Sequence, residues 1–547
     1  MKKSFLLVIV ALFVLSRLSA QEFRPPMDHE ITFAGNYAEI RADHFHGGLD
    51  FKTGGVEGKV VRALADGYIS RAQVNSSSGL SLTIKYGNGY AAAYRHLSVF
   101  AEPIATRVKT LQYEQKSWEM DLQFAPDEYV VKAGQEIARS GNTGYSMGPH
   151  LHLDVFNADG EYIDPLPFFM DKVKDNVAPR IEGFMIFPQT GRGVVDGSQK
   201  NKLLPVSSQK NVNVWGWIGV GIRAYDYMDG VSNRYGVKVV TLSVDGKEVF
   251  NSKMDVFSYE ENRYINSWTE GEYMKCFIEP GNKLRLLHDL NGQRGLINID
   301  EERPYKLDYT LIDAFGNTTR ANLVLQGRKQ HIEPLPYTEE ETLHWDCPNV
   351  WQRPGFDLFI PQGALYSDVY IDYQMSITDS SSVAPLYRLT DKAVKLHTGA
   401  ELRIGIRNMP VDDLTKYYVA RVGNNGRKSS VGGTLENGFM KVKVLQLGTF
   451  TVEVDTISPT IEAINRNAWA RNGRVTLKAE DSQTGISYYE AFIDGEWALL
   501  GKPNSVNNHL VLVLDSAHVK KGQNHLLSVI VTDGCGNQRM EEFQFFW

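Results

Sequence analysis

A set of histidines and one aspartate, held in short stretches, has the residue types and spacing to bind a metal ion and move protons. In His44-Phe-His46-Gly-Gly-Leu-Asp50-Phe51 an imidazole and a carboxylate stand four residues apart, and Gly47 and Gly48 let the chain bend between them. Gly141-Asn-Thr-Gly-Tyr-Ser-Met-Gly-Pro-His150-Leu-His152-Leu-Asp-Val-Phe156 opens as a glycine-rich turn and passes into an alternating apolar run. A strand has a side-chain period of two, so His150 and His152 project from the same face. Tyr94-Arg-His96-Leu97 adds one more histidine at the end of an apolar run. Imidazole nitrogen and carboxylate oxygen are good zinc ligands. His46, Asp50 and one histidine of the later pair make three protein ligands and leave a tetrahedral position for water, as a catalytic zinc site requires. Spacing does not choose between His150 and His152, and an isolated His-x-His also suits two hydrogen-bonded sheet histidines. His44 reads as groove rim or structure.

Taken in order, His-x-x-x-Asp, Tyr-x-His-Leu and Gly-Asn-Thr-Gly-x-Ser-x-Gly-Pro-His-Leu-His resemble the lysostaphin-type (LytM-type) zinc metallopeptidases, which cut peptide bonds in bacterial peptidoglycan. Val61-Arg-Ala-Leu-Ala-Asp-Gly67, Tyr86-Gly-Asn-Gly-Tyr90, Val131-Lys-Ala-Gly-Gln-Glu-Ile137 and Asp164-Pro165 agree with the same pattern. The resemblance covers residues 30 to 170, under a third of the chain. It implies one Zn2+ held by His46, Asp50 and His152, with His96 and His150 as the catalytic pair. Zinc brings the pKa of a bound water toward about 7 and polarises the scissile carbonyl. One histidine would take the water's proton or stabilise the oxyanion, and the pair would serve the leaving amine. Tyr94 reads either as a substrate-binding residue lining the groove or as core packing. The resemblance makes peptidoglycan peptides the expected substrate and zinc metalloendopeptidase the expected activity. One rival is a non-catalytic scaffold or amidase activator on the same fold, which typically lacks some ligands; here every position is filled. The other is a wall-binding, adhesin-like protein whose β-modules carry the function.

The elements that position these residues read as strands. Between 59 and 97, short alternating runs are separated by Gly, Asn and Ser turns, the pattern of antiparallel sheet. Residues 100 to 129 depart from the family pattern: Ala101 to Ser117 looks helical and Trp118 to Phe124 strand-like. This insertion either walls the groove or packs on the sheet edge. A unit of roughly 150 residues can bury its own core, so the peptidase region is expected to fold alone.

Beyond Phe169 the texture changes. Asp175-Asn-Val-Ala-Pro179, Ala224-Tyr-Asp226, Asp245-Gly246 and Asp313-Ala-Phe-Gly316-Asn317 recur as Asp455-Thr-Ile-Ser-Pro459, Ala479-Glu-Asp481, Asp494-Gly495 and Asp533-Gly-Cys-Gly536-Asn537. Ordered matches of this kind mark an internal repeat, and short strands with Asp-Gly turns suggest β-sandwiches. The repeats resemble bacterial immunoglobulin-like modules, the first with an insertion around 251 to 300. Phe359-Ile-Pro-Gln-Gly-Ala-Leu365 resembles the opening of other sandwich modules. The module-edge aspartates suit Asx-turns, calcium binding being the alternative.

The expected architecture is mainly β: a signal peptide at 1–20, an antiparallel-sheet lysostaphin/LytM-type (duplicated hybrid motif) peptidase domain at 21–174, and then about three β-sandwich domains. These are an immunoglobulin-like sandwich with an insertion at 175–330, a sandwich-like domain at 331–454 and an immunoglobulin-like sandwich at 455–547. Met1-Lys-Lys, a short apolar run and Ser19-Ala20 describe the signal peptide, so the protein is expected in the periplasm or at the cell surface, with no transmembrane segment in the mature chain. Apolar content of 42% over 547 residues suffices for several cores. A net charge of −7 gives no basic excess for nucleic acid, and the β-modules offer the surface for a wall or protein partner. Cys276, Cys347 and Cys535 lack metal-ligand spacing and read as buried thiols.

Overall fold

A computed structural model describes residues 23–206 and 212–547. The chain is mainly β. The expected signal peptide lies outside the described residues, and no helix among those residues is long and apolar enough to cross a membrane.

Strands Phe33–Gly35, Gly48–Lys52, His150–Phe156, Ala91–Phe100, Gly79–Tyr86, Gly67–Asn75 and Met120–Gln123 lie side by side, in that order, in an antiparallel sheet. In the central strand Leu151, Leu153 and Val155 are fully buried in the core, and the alternate positions form a row of polar residues from His150 to Asp154. Its neighbours are Gly48–Lys52 and Ala91–Phe100, with His152 directly opposite Asp50 on one side and Arg95 on the other. Adjacent strands therefore deliver nearly all of the chemical groups singled out above.

The insertion forms a helix, Ile104–Glu114, and the strand Met120–Gln123 paired to Gly67–Asn75. Ile104 and Val108 are buried in the peptidase core, so its inner face packs on the sheet edge.

The repeats also form β-structure. Residues 180–327 contribute a sheet wound round one large core. Paired five-stranded sheets enclose a core between Leu343 and Val452, and paired four-stranded sheets do so between Ile461 and Phe545. Cys276 and Cys535 are buried free thiols, but Cys347 is exposed, because it stands in a turn before Asn349–Arg353 rather than on an inward strand face.

Residues 23–169 supply nearly all of one core of their own, but that core and the core of the first repeat exchange residues across the junction. Tyr37 and Phe45 are buried in the core of the first repeat, against Phe257 and Trp268. Met228 and Tyr235 of that repeat are buried in the peptidase core. The strand Tyr162–Ile163 pairs with Val256–Phe257, so one sheet runs across the junction. The 251–300 insertion supplies Phe257, and its Arg263 and Tyr264 also reach Leu396 and His397 of the middle module. Local patterning had no means of showing that both insertions are joints.

Candidate metal centre

His46 Nε2, Asp50 Oδ1 and His152 Nδ1 form a triangle with every side 3.0 Å. His46 Nδ1 lies 2.6 Å from the Asn36 carbonyl oxygen. A carbonyl can only accept, so Nδ1 carries the proton and Nε2 presents a lone pair. His152 Nε2 lies 2.6 Å from Asp154 Oδ1, which likewise leaves the Nδ1 lone pair facing inward. Three acceptors thus converge with their protons directed away. All three residues are buried, with exposures of 5%, 8% and 9%. Electron-rich atoms so placed repel one another unless a cation stands among them, and an N2O donor set suits zinc. The residues present fit that ion.

Each ligand is held from behind. Asp154 Oδ2 accepts from Arg95 Nε at 2.6 Å, and the second oxygen of Asp50 accepts from Arg41 at 3.2 Å. His46 is clasped by backbone bonds at 2.8 and 2.9 Å to Ala38 and Glu39. Such partners fix ring orientation and ligand basicity. Burial and the neighbouring imidazoles push His96 down to about 3. Burial alone would lower His152, yet Asp154 and Asp50 push it up to about 9, so that without an ion a proton on Nδ1 occupies the place a metal cation would take. Asp50 is held well below the usual carboxylate range by His46, His150 and His152, against the opposing effect of burial.

His96 and His150 flank the triangle, their ring centroids 4.8 Å apart. His150 Nδ1 donates to the Gly148 carbonyl at 2.8 Å and its Nε2 lies 3.4 Å from Asp50 Oδ1. His96 Nδ1 donates to the Thr143 carbonyl at 2.8 Å. Both rings are thus anchored through Nδ1 and turn Nε2 toward the site. Strand alternation would send Arg95 and His96 to opposite faces, yet both meet the row of His150, His152 and Asp154. The cause is a φ of +62° at His96, where the strand pairing shifts register. A left-handed residue inside a strand makes a bulge and re-aims the following side chains. A non-glycine residue in this region stores strain, a pattern that clusters at functional sites.

The loop from Gly141 to Gly148 is locked against the Asn75–Gly79 turn. Gly144, at φ +73°, packs so closely on Ser77 and Gly79 that a Cβ would collide with backbone. Thr143 Oγ1 donates to Leu97 O and accepts from Leu80 N. The glycine-rich turn thereby fixes the carbonyl that orients His96.

Tyr94 is corrected from a groove-lining residue. It is fully buried and its hydroxyl bonds Tyr86 and Leu64 N at 2.7 and 3.0 Å, because its strand position faces the core. On the loop that leads into the His150–Phe156 strand, Tyr145 is 67% exposed and Met147 is exposed as well. His44 is exposed and pairs with Asp43 outside the triangle. Asp154 and Arg95 were not singled out from sequence. The signal for Asp154 was present, since it lies two residues after His152 and so shares its strand face.

Comparison with known proteins agrees with the region's chemistry. A metalloprotease of Haemophilus influenzae is 32% identical over 145 residues, 26% of this chain and 23% of that protein. The DD-carboxypeptidase/endopeptidase Mpg of Neisseria meningitidis is 29% identical over 121 residues, 22% of each. The glycyl-glycine endopeptidase ALE-1 of Staphylococcus capitis is 32% identical over 128 residues, 22% of this chain and 28% of that protein. Among solved structures, the catalytic domain of lysostaphin from Staphylococcus simulans aligns at 26% identity over 25% of this chain and 89% of that chain, with a TM-score of 0.19. The chain spans about a quarter of the length of the curated relatives it matches. These relatives are metallopeptidases of the lysostaphin (LytM/M23) type, and the likeness covers only part of the chain. Residues 340–455 match the Zu5-like domain family, which gives the middle sandwich region a more specific description than sequence patterning did.

Proposed function

We propose that this chain is an exported zinc metalloendopeptidase that hydrolyses peptide cross-links of bacterial peptidoglycan. The observation that carries the reading is the 3.0 Å triangle of lone pairs from His46, Asp50 and His152, each ligand's remaining polar atoms being occupied behind it. The names of the relatives, which include a DD-carboxypeptidase/endopeptidase and a glycyl-glycine endopeptidase, support the substrate class. One zinc per chain would supply a Lewis acid that acidifies water and polarises the scissile carbonyl. His96 and His150, each anchored through Nδ1 with Nε2 toward the site, serve as the pair that takes up the proton of the attacking water and returns it to the leaving amine. Tyr145 and Met147 form the rim against which a peptide lies. The periplasm or cell surface is the place of action, with the peptidase region at 21–174 and the β-modules at 175–330, 331–454 and 455–547 setting its position.

The test is digestion of purified muropeptides followed by mass spectrometry, with elemental analysis of variants. His46→Ala is expected to lose zinc and activity together. His96→Ala and His150→Ala are expected to keep zinc and lose about 10² to 10⁴-fold in turnover. Zinc retained in His46→Ala, or full activity in His96→Ala, would refute the respective role.

A further inference from the structure

The two repeats bring the same three aspartates together and then treat them differently. In the first repeat Asp175, Asp226 and Asp313 place ligand oxygens within 4.8 Å of one another, and all three residues are buried. Asp455, Asp481 and Asp533 do the same in the last repeat. The surroundings match in part. Asn317 Nδ2 donates to Asp313 Oδ2 and to the Asp175 carbonyl, as Asn537 Nδ2 does to Asp533 Oδ2 and the Asp455 carbonyl. Asp175 and Asp455 each accept from the backbone N–H two residues on, the expected Asx-turn.

The last triad is then satisfied by its own chain. Asp481 Oδ2 accepts from the backbone N–H groups of Gln483, Thr484 and Gly485 at 2.9, 2.7 and 2.8 Å. The Thr484 hydroxyl donates to Asp455 Oδ2 at 2.7 Å. In the first triad the residue in the place of Thr484 is Asp229, a further carboxylate, which turns away to bond Asn176. Asp175 Oδ2 and Asp226 Oδ1 are left buried without a hydrogen-bond donor among the described residues, on side chains of residues 7% and 2% exposed. A buried, unpaired carboxylate oxygen is costly, and here like charges add to that cost. Burial raises Asp226 to about 8 and Asp175 to about 6, with Asp313 adding to both. Calcium takes carboxylate and carbonyl oxygens at about 2.3–2.6 Å, so carboxylate oxygens within 4.8 Å of one another can share one ion.

We propose that Asp175, Asp226 and Asp313 form a calcium site in the first repeat, whereas the last repeat replaces the ion with the Thr484 hydroxyl and backbone donors. The position gives the ion a task. Asp175 lies in the segment leaving the peptidase region. The backbone of Asp226 pairs in both directions with Tyr235, whose hydroxyl bonds Phe33 O at 2.8 Å. Gly236 N donates to Asn36 Oδ1 at 2.8 Å, and the Asn36 carbonyl orients His46. Calcium would therefore tie the entering segment to the loop that braces the zinc ligands.

Equilibrium dialysis of the zinc-loaded full chain against radiolabelled calcium chloride, at about 1 mM, tests this. One calcium per chain is expected, with a calcium-dependent rise in the thermal midpoint. Asp226→Asn is expected to bind none. Asp229→Thr, which imports the donor of the last repeat, is expected to lose calcium binding while unfolding at a calcium-independent midpoint no lower than that of the calcium-free parent. Asp481→Asn is expected to keep the one calcium. No calcium bound by the parent chain, binding retained in both Asp226→Asn and Asp229→Thr, or a second calcium lost in Asp481→Asn would overturn the proposal. Displacement of calcium by an equal concentration of magnesium would overturn the choice of ion.

Discussion

The peptidase region is joined to one repeat by its interior and to the other by its surface. At the first joint Phe257 stands among Tyr37, Phe45 and Tyr162, all in ring contact with it, and the sheet continues from Tyr162–Ile163 into Val256–Phe257. At the second, the last module touches the 100–129 insertion and the metal-site loop. Tyr113 stacks on His518 with centroids 3.5 Å apart, Trp118 fills the space beside Gly501, and Lys109 pairs with Asp515. Asn504 Nδ2 donates to the Asn142 and Ser146 carbonyls at 2.7 and 2.9 Å, and Gly144 N donates to the Pro503 carbonyl at 2.6 Å. Burial of apolar rings at the first joint contributes to the stability of both regions. The second combines aromatic contacts of Tyr113 and Trp118 with hydrogen bonds, and it grips the loop whose Thr143 carbonyl holds His96. The first joint thus shares core residues between the two regions, whereas the second reaches the loop beside the metal-site cluster.

Substitutions that separate the joints would break this division if it is wrong. Phe257→Ala is expected to have the largest effect, about 3–5 kcal/mol of stability, with the peptidase region and first repeat unfolding together in denaturant. Two separate transitions, or a loss below about 1 kcal/mol, would show that the joint is a docked surface. Tyr235→Phe leaves the Phe33 carbonyl without its buried donor and is expected to cost about 1–3 kcal/mol, read by the same unfolding curves. Asn504→Ala is expected to leave zinc content and global stability unchanged and to lower kcat/KM about tenfold, since two lost hydrogen bonds of roughly 0.5–1.5 kcal/mol each loosen the loop. Unchanged kinetics would confine the last module to tethering.

The smallest effect concerns Lys109 and Asp515. Lys109 pulls the Asp515 carboxyl down to about 2, below an unfolded value of about 3.9. The pair's contribution is therefore complete above about pH 4 and is lost as pH falls toward 2. Both groups are partly exposed, so Lys109→Ala is expected to cost no more than about 1 kcal/mol, less in high salt. A larger loss would mean that the second joint also contributes to the stability of both regions.

What the sequence could reveal follows from the range of each signal. The mainly β architecture and the His150–Phe156 strand were legible because alternation is a local pattern, repeated in every residue pair. The repeat's aspartates were legible as turns for the same reason. Tyr94 was ambiguous because alternation gives two faces without saying which is the core, and the φ of His96 then breaks the alternation beside it. The partners of the insertions were illegible: Tyr113 meets His518, and Tyr162 pairs with Phe257, across hundreds or scores of intervening residues with no shared pattern. Asp229 in place of Thr484 is a single substitution whose meaning appears only when three strand ends meet.

The grip of Asn504 on the Gly141–Ser146 loop also sets an order in time. A chain made from its N-terminus presents His46, Asp50, His96, His150 and His152 long before Asn504 exists. Until the last module has been synthesised and has folded, the carbonyl that orients His96 lacks its outer brace. A product truncated before the last module would carry the His46, Asp50 and His152 cluster without the outer brace on the loop that orients His96.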